Sequence, residues 1–170
     1  NLMYTGYKEC NGPFVIRYPR GKGEMADWRN EMHILPIGKG KKLRDGDDIA
    51  ILSLGPIGNE VIKAIKEIEG DGISIAHYDM IYLKPMDEEL LHEVGKKFSR
   101  IITVENGVIR GGLASAVLEF MADNGYTPKI KRIGVPDEFV EHGPISELYK
   151  LCGMDAKCIA EEIKKMVIGG

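Results

Sequence analysis

The sequence predicts a three-layer, doubly wound α/β fold: a mostly parallel sheet, helices on both faces, and one antiparallel edge strand. From His33 onward, apolar runs of strand length alternate with stretches whose apolar residues recur at helical spacing. Glycine and proline punctuate the joints between them. Buried strands separated by amphipathic helices are what a parallel sheet with helical crossovers requires.

The elements follow in order. Residues 1–10 read as the tail of a helix, broken by Asn11-Gly12-Pro13, and Phe14-Val15-Ile16 reads as a short buried strand. A lone strand is not stable in water, so this one needs a sheet from elsewhere. Lys22 to about Glu31 has glycine and charge without a period and reads as a linker. Ile34–Lys41, the turn Arg44-Asp45-Gly46-Asp47 and Ile49–Leu54 read as a hairpin leading into a buried strand. Gly55-Pro56-Ile57-Gly58 then opens a helix whose buried face is expected at Val61, Ile62, Ile65 and Ile68. Ile73–Tyr78 is the next strand, and Asp87 is placed to cap a helix through Leu90, Leu91 and Val94. Ile101–Val104 is a further strand. Gly111-Gly112 opens a helix carrying Ala114, Val117, Leu118 and Met121, Lys129–Ile133 is the last strand, and short helices around 145–151 and 155–167 close the chain.

The bulk numbers fit one hydrophobic core. The chain has 170 residues, 44% of them apolar and 29% charged, the balance of a soluble domain. A net charge of −3 speaks against nucleic acid, whose phosphates demand a basic face. No apolar run is long enough to span a bilayer. The charge is uneven: residues 1–30 hold five Lys/Arg against three Asp/Glu, and the remainder 18 against 23. Cys10, Cys152 and Cys158 form no disulfide framework or zinc spacing, which points to a reducing compartment and a cytoplasmic location. Cys152 and Cys158 are expected to fill core space beneath the last helix. The chain begins at Asn1 in mid-pattern and reads as an excised piece.

Few residues offer chemistry. Gly55-Pro56-Ile57-Gly58 lacks the dinucleotide fingerprint, and Pro56 removes an N–H that would face phosphate, so a tight strand-to-helix turn is the plainer reading. Gly70-Asp71-Gly72 likewise reads as a turn. Glu105-Asn106-Gly107 and Arg110-Gly111-Gly112 fall at a strand's carboxyl end before a helix, where open α/β sheets bind ligands. With no nucleophile or second acid nearby, Glu105 and Arg110 are candidates for an interface or a site edge, as are Arg17, Asp137 and His142. None of the four histidines has a metal partner at helical spacing. Arg17-Tyr18-Pro19-Arg20-Gly21 places two guanidinium groups around a stiff Tyr-Pro step, a combination suited to phosphate.

In their order, Gly12 to Gly21, Leu35-Pro36-Ile37-Gly38-Lys39-Gly40, Asp79 with Lys84-Pro85-Met86-Asp87, Thr103-Val104-Glu105, Gly111-Gly112 and Val135 to Gly143 resemble the 1-deoxy-D-xylulose-5-phosphate synthases. These are relatives of transketolase. The resemblance implies a transketolase C-terminal-domain-like fold at 33–170, a linker at 22–32, and at 1–21 the last helix and strand of a pyrimidine-binding domain. It implies that the intact enzyme is a homodimer using thiamine diphosphate and magnesium to join pyruvate to D-glyceraldehyde 3-phosphate with loss of carbon dioxide, supplying isoprenoid, thiamine and pyridoxal synthesis. Arg20 matches the family's contact to substrate phosphate. The cofactor and metal residues belong upstream, so no catalytic, cofactor or metal residue is expected here, and the piece alone is expected to be inactive. Two departures stand out: Ile81 where the family has Arg, and Asn106-Gly107 where it has Glu-Asn. Two other classes remain: a docking module such as the C-terminal domain of a 2-oxo acid dehydrogenase decarboxylating subunit, and an independent nucleotide-binding domain.

Overall fold

The computed structural model describes residues 1–19 and 29–169. After an N-terminal helix α1 (Leu2–Glu9), the elements run β1 (Lys41–Arg44), β2 (Ile49–Leu54), α2 (Gly58–Glu67), β3 (Ile75–Asp79), α3 (Glu88–Lys97), β4 (Arg100–Val108), α4 (Leu113–Asp123), β5 (Lys129–Val135), α5 (Ile145–Leu151) and α6 (Ala156–Ile168). The five strands form one sheet in the order β1-β3-β2-β4-β5. All neighbours are parallel except β1 and β3. This is the predicted class, antiparallel edge included.

Two apolar layers flank the sheet because alternate strand residues face opposite sides. Ile49, Ile51, Ile75, Ile102 and Val104 face α2 and α6 and meet Val61, Ile65, Ile159 and Ile163. Ala50, Leu52, Ala76, Tyr78 and Ile101 face α3 and α4 and meet Leu91, Val94, Leu113 and Val117. The central strand β2 is buried along five of its six residues. Asp87 caps α3 by accepting the Leu90 N–H at 3.1 Å, as its position predicted, and Asp155 caps α6 through the Cys158 N–H.

Several expectations need correction. The hairpin does not form: β1 pairs with β3, Lys41 opposite Asp79 and Lys42 opposite Tyr78. The residues between β1 and β2 carry the chain past the start of β3, where Gly46 lies directly on the Ile75–Ala76 backbone with no room for a Cβ. The strand is also later than expected, since 34–40 run outside the sheet. Phe14–Ile16 joins no sheet among the described residues, and Val15 is 93% exposed. Ile62 and Leu118 lie on the solvent side of their helices, and Ala64 takes the place on α2 that Ile62 was expected to fill. Cys152 packs at the edge of the α2–α6 layer, whereas Cys158 is half-buried outside it.

Candidate functional site

The chain leaves β2 for β3 on one side and returns to β4 on the other, so the carboxyl ends of β2 and β4 flank the switch point of the sheet. Ligands of open α/β sheets bind there, commonly at a helix N-terminus. In this chain both helix starts are filled from within. At α2, the N–H groups of Gly58, Asn59 and Glu60 each lie 3.0 Å from the carbonyls of Gly55, Pro56 and Ile57. That is the tight turn the sequence suggested. At α4 the occupant is Glu105. Its carboxylate is 4% exposed and accepts the N–H groups of Leu113 and Ala114 at 2.9 Å each. Its oxygens take up N–H groups at the start of α4, the position that a bound anion takes in nucleotide-binding α/β folds in general. Gly112 is required because its missing Cβ is where the Glu105 carboxylate lies.

The other predicted residues distribute around this end of the sheet. Arg110 and Asp137, at the carboxyl ends of β4 and β5, form an exposed ion pair at 3.4 Å. The neighbouring Arg132 donates to the Ile109 carbonyl at 3.2 Å. Asn106 donates to the Tyr149 hydroxyl at 3.3 Å, tying β4 to α5. His142 is exposed in the loop between β5 and α5. Arg17 is exposed in the segment after α1. Arg20 lies outside the described residues. The structure thus joins Arg110 to Asp137, turns Glu105 inward, and groups neither Arg17 nor His142 with them.

Two arrangements escaped the sequence. Ser53 on β2 and His77 on β3 meet at 2.8 Å through Oγ and Nε2, with the Ser53 hydroxyl also 3.3 Å from the Tyr78 carbonyl oxygen. Both are buried, and burial holds the His77 imidazole down at about 4. Gly58 of α2 closes over them, so the pair binds two strands together and has no opening for substrate. Asp79 at the end of β3 accepts the Ile81 N–H at 3.1 Å, and burial raises its carboxyl above the usual range. Ile81 itself sits at φ 56°, a costly conformation for a β-branched residue.

The second arrangement holds α1. The Asn1 side chain meets His33 twice, through Nδ2 and Nε2 at 3.1 Å and through Oδ1 and the His33 N–H at 3.1 Å. Thr5 is fully buried and accepts the Leu35 N–H at 2.9 Å. No local signal marks contacts between residues about thirty positions apart.

One open groove is already charge-paired. Of about 380 Å³, it is lined by Lys39, Lys42, Tyr78, Asp87, Leu90, Glu89 and Glu93. There Lys39 pairs with Glu89 at 2.5 Å and Lys42 with Glu93 at 2.9 Å. Among the described residues no three His, Cys, Asp or Glu side chains converge to hold a metal ion. No helix among the described residues is long and apolar enough to cross a membrane.

Comparison with known proteins accords with this architecture. Residues 38–159 match the family described as transketolase, C-terminal domain. The chain is 78% identical over 97% of its length to a 1-deoxy-D-xylulose-5-phosphate synthase of Parabacteroides distasonis, and 58% identical over 96% to that of Bacteroides fragilis. It spans about a quarter of these relatives, 26% of each. Among solved structures it resembles a split-gene transketolase described as an inactive β4 tetramer, with a TM-score of 0.73, 32% identity, 80% of this chain and 44% of that one covered. A matched stretch of that length on a sheet of this order leaves one conclusion: the chain belongs to the transketolase C-terminal domain family.

Proposed function

We propose that this chain is the C-terminal part of a thiamine-diphosphate-dependent synthase that condenses pyruvate with D-glyceraldehyde 3-phosphate, giving 1-deoxy-D-xylulose 5-phosphate and carbon dioxide. The observation that carries this reading is the 78% identity across nearly the whole chain to a protein of that name. In this reading residues 33–170 are the C-terminal domain, 22–32 a linker, and 1–21 the end of a pyrimidine-binding domain. The matched stretch, 38–159, falls inside the first of these. Thiamine diphosphate and magnesium are held by the rest of the enzyme, which works as a cytoplasmic homodimer feeding isoprenoid, thiamine and pyridoxal synthesis.

The work of this stretch of chain is architectural, with one exception: Arg20, in the segment before the linker, meets the substrate phosphate. The motif Arg17-Tyr18-Pro19-Arg20-Gly21 supports this, since a stiffened loop lowers the ordering cost of a guanidinium aimed at phosphate. Arg17, Arg110, Asp137 and His142 are exposed and available to partner surfaces, whereas Glu105 is spent on α4. Alone, the chain is inactive. The solved neighbour, described as an inactive β4 tetramer, supports both that and self-association.

The test is turnover. The polypeptide alone is expected to yield no deoxyxylulose phosphate from pyruvate and D-glyceraldehyde 3-phosphate with cofactor and magnesium supplied; product formation would overturn the reading. In the full-length enzyme, Arg20→Ala is expected to raise KM for D-glyceraldehyde 3-phosphate about tenfold or more while KM for pyruvate stays within about twofold. Equal effects on the two substrates would remove the phosphate role.

A further inference from the structure

We infer that Asn124, at the carboxyl end of α4, is a site of spontaneous covalent modification, where the side-chain amide is lost as ammonia and an aspartate or isoaspartate takes its place.

The sequence holds three Asn-Gly steps, at 11–12, 106–107 and 124–125, and the last two lie within the sheet domain. Glycine is the follower that lets this reaction run, because no Cβ screens its backbone nitrogen. The Gly125 nitrogen gives up its proton to water and bonds to the Asn124 side-chain carbonyl carbon. The bond from that carbon to the amide nitrogen breaks, ammonia leaves, and a five-membered imide closes. Water then opens the ring at either carbonyl. One product keeps the ordinary backbone, and the other runs through the side chain with one extra methylene. No oxidant or cofactor enters.

The fold decides which step is reactive. Asn106 is half-buried in β4 and donates to the Tyr149 hydroxyl at 3.3 Å. Its follower is wedged: a Cβ on Gly134 would stand 2.9 Å from the Gly107 carbonyl oxygen, and a Cβ on Gly107 3.2 Å from Glu105 Oε2. Reaction there requires the β4–β5 edge to open. Asn124, by contrast, is exposed and directly follows the last residue of α4. Gly125, at φ 70°, has nothing within 4 Å of its missing Cβ. A single turn holds the step. Asn124 Nδ2 donates to the Phe120 carbonyl at 2.9 Å, and the Gly125 N–H to the Ala122 carbonyl at 3.1 Å. Helix ends open far more often than sheet interiors, and opening here frees nucleophile and amide together.

The product weakens the turn that formed it. A carboxylate cannot donate to the Phe120 carbonyl, and it adds a negative charge beside Asp123 at the negative end of α4, whose last turn has no basic residue. The isoaspartate form also lengthens the backbone ahead of Tyr126. That residue donates its N–H to the Met121 carbonyl at 2.9 Å, and its hydroxyl lies 2.9 Å from His92 Nδ1 of α3. Modification therefore loosens the α3–α4 side of the sheet and spares the α2–α6 side.

The experiment is peptide mapping by mass spectrometry of the 170-residue chain, incubated in mildly alkaline buffer with and without urea. In the folded chain, conversion of amide to acid is expected at least about tenfold faster at Asn124 than at Asn106; in the unfolded chain the two rates are expected within about threefold of each other. Asn106 converting as fast as Asn124 in the folded chain overturns the inference. So does an Asn124 that stays intact while the unfolded chain converts, since the cap would then hold. Asn124→Gln closes the imide ring far more slowly and is expected to abolish conversion in that peptide; a mass shift that persists there belongs to another residue and overturns the assignment. Asn124→Asp, the product with an ordinary backbone, is expected to speed amide hydrogen exchange from Asn124 to Tyr126 about threefold or more while α2 and α6 stay unchanged. Unchanged exchange in that variant overturns the consequence for α4.

Discussion

Ser53 and His77 meet at 2.8 Å across the β2–β3 ladder, wholly inside the α2–α6 side of the sheet. Burial keeps the imidazole neutral, its value held at about 4 against 6.5 for the free side chain. The sign follows from proton counts: between those values the unfolded chain binds a proton that the folded one does not. Stability is therefore full above about pH 6.5, falls as pH drops through that window, and levels below about 4, a loss of roughly 3 kcal/mol from this group. Asp79, raised by burial, adds a smaller opposite slope at the acid end. Urea unfolding at several pH values is expected to show the fall, and His77→Gln to flatten it. An unchanged slope in that variant would mean the imidazole is protonated in the fold.

Glu105 is a second buried polar group, and its worth lies in the N–H groups it satisfies. Glu105→Ala leaves the Leu113 and Ala114 donors buried without acceptors. The expected loss is about 2–4 kcal/mol, with Glu105→Gln at about half of that because one acceptor oxygen remains. Denaturant midpoints decide it; equal losses in the two variants would show that charge alone matters.

Gly46 has no room for a side chain, whereas Gly12 has nothing within 4 Å of its missing Cβ. Gly46→Ala is expected to cost about 2 kcal/mol or more, and Gly12→Ala to stay within about 0.5 kcal/mol. Thermal unfolding of both would test the path of the β1–β2 crossing; a harmless Gly46→Ala would contradict it.

The Arg110–Asp137 pair is exposed on both sides, at 74% and 57%. A double-mutant cycle with Arg110→Ala and Asp137→Ala is expected to return about 0.2–1 kcal/mol of coupling. Repeated in the full-length enzyme, the same cycle reports whether a partner surface covers the pair: coupling rises when water is excluded.

The chain's local chemistry wrote the alternation of elements, the cap at Asp87, the turn at Gly55–Gly58 and the apolar stripes at Val61, Ile65 and Val117 into the sequence. Each depends on spacing within a few residues, so one dimension suffices. The same holds for the motifs from Leu35 to Gly143 that marked the family. Strand neighbours are different. β1 looked like the partner of β2 because they are adjacent in sequence, and it lies against β3 because β3 offers the free edge beside β2. Glu105 looked available at a strand end, and it is consumed because α4 begins within its reach. Ser53 with His77, 24 residues apart, and Tyr82 with Phe14 and Leu35 became neighbours only when the sheet and linker folded together. Periodicity records which face of an element is buried; which buried or charged group meets which is decided by the register and order of strands, and those are properties of the assembled sheet.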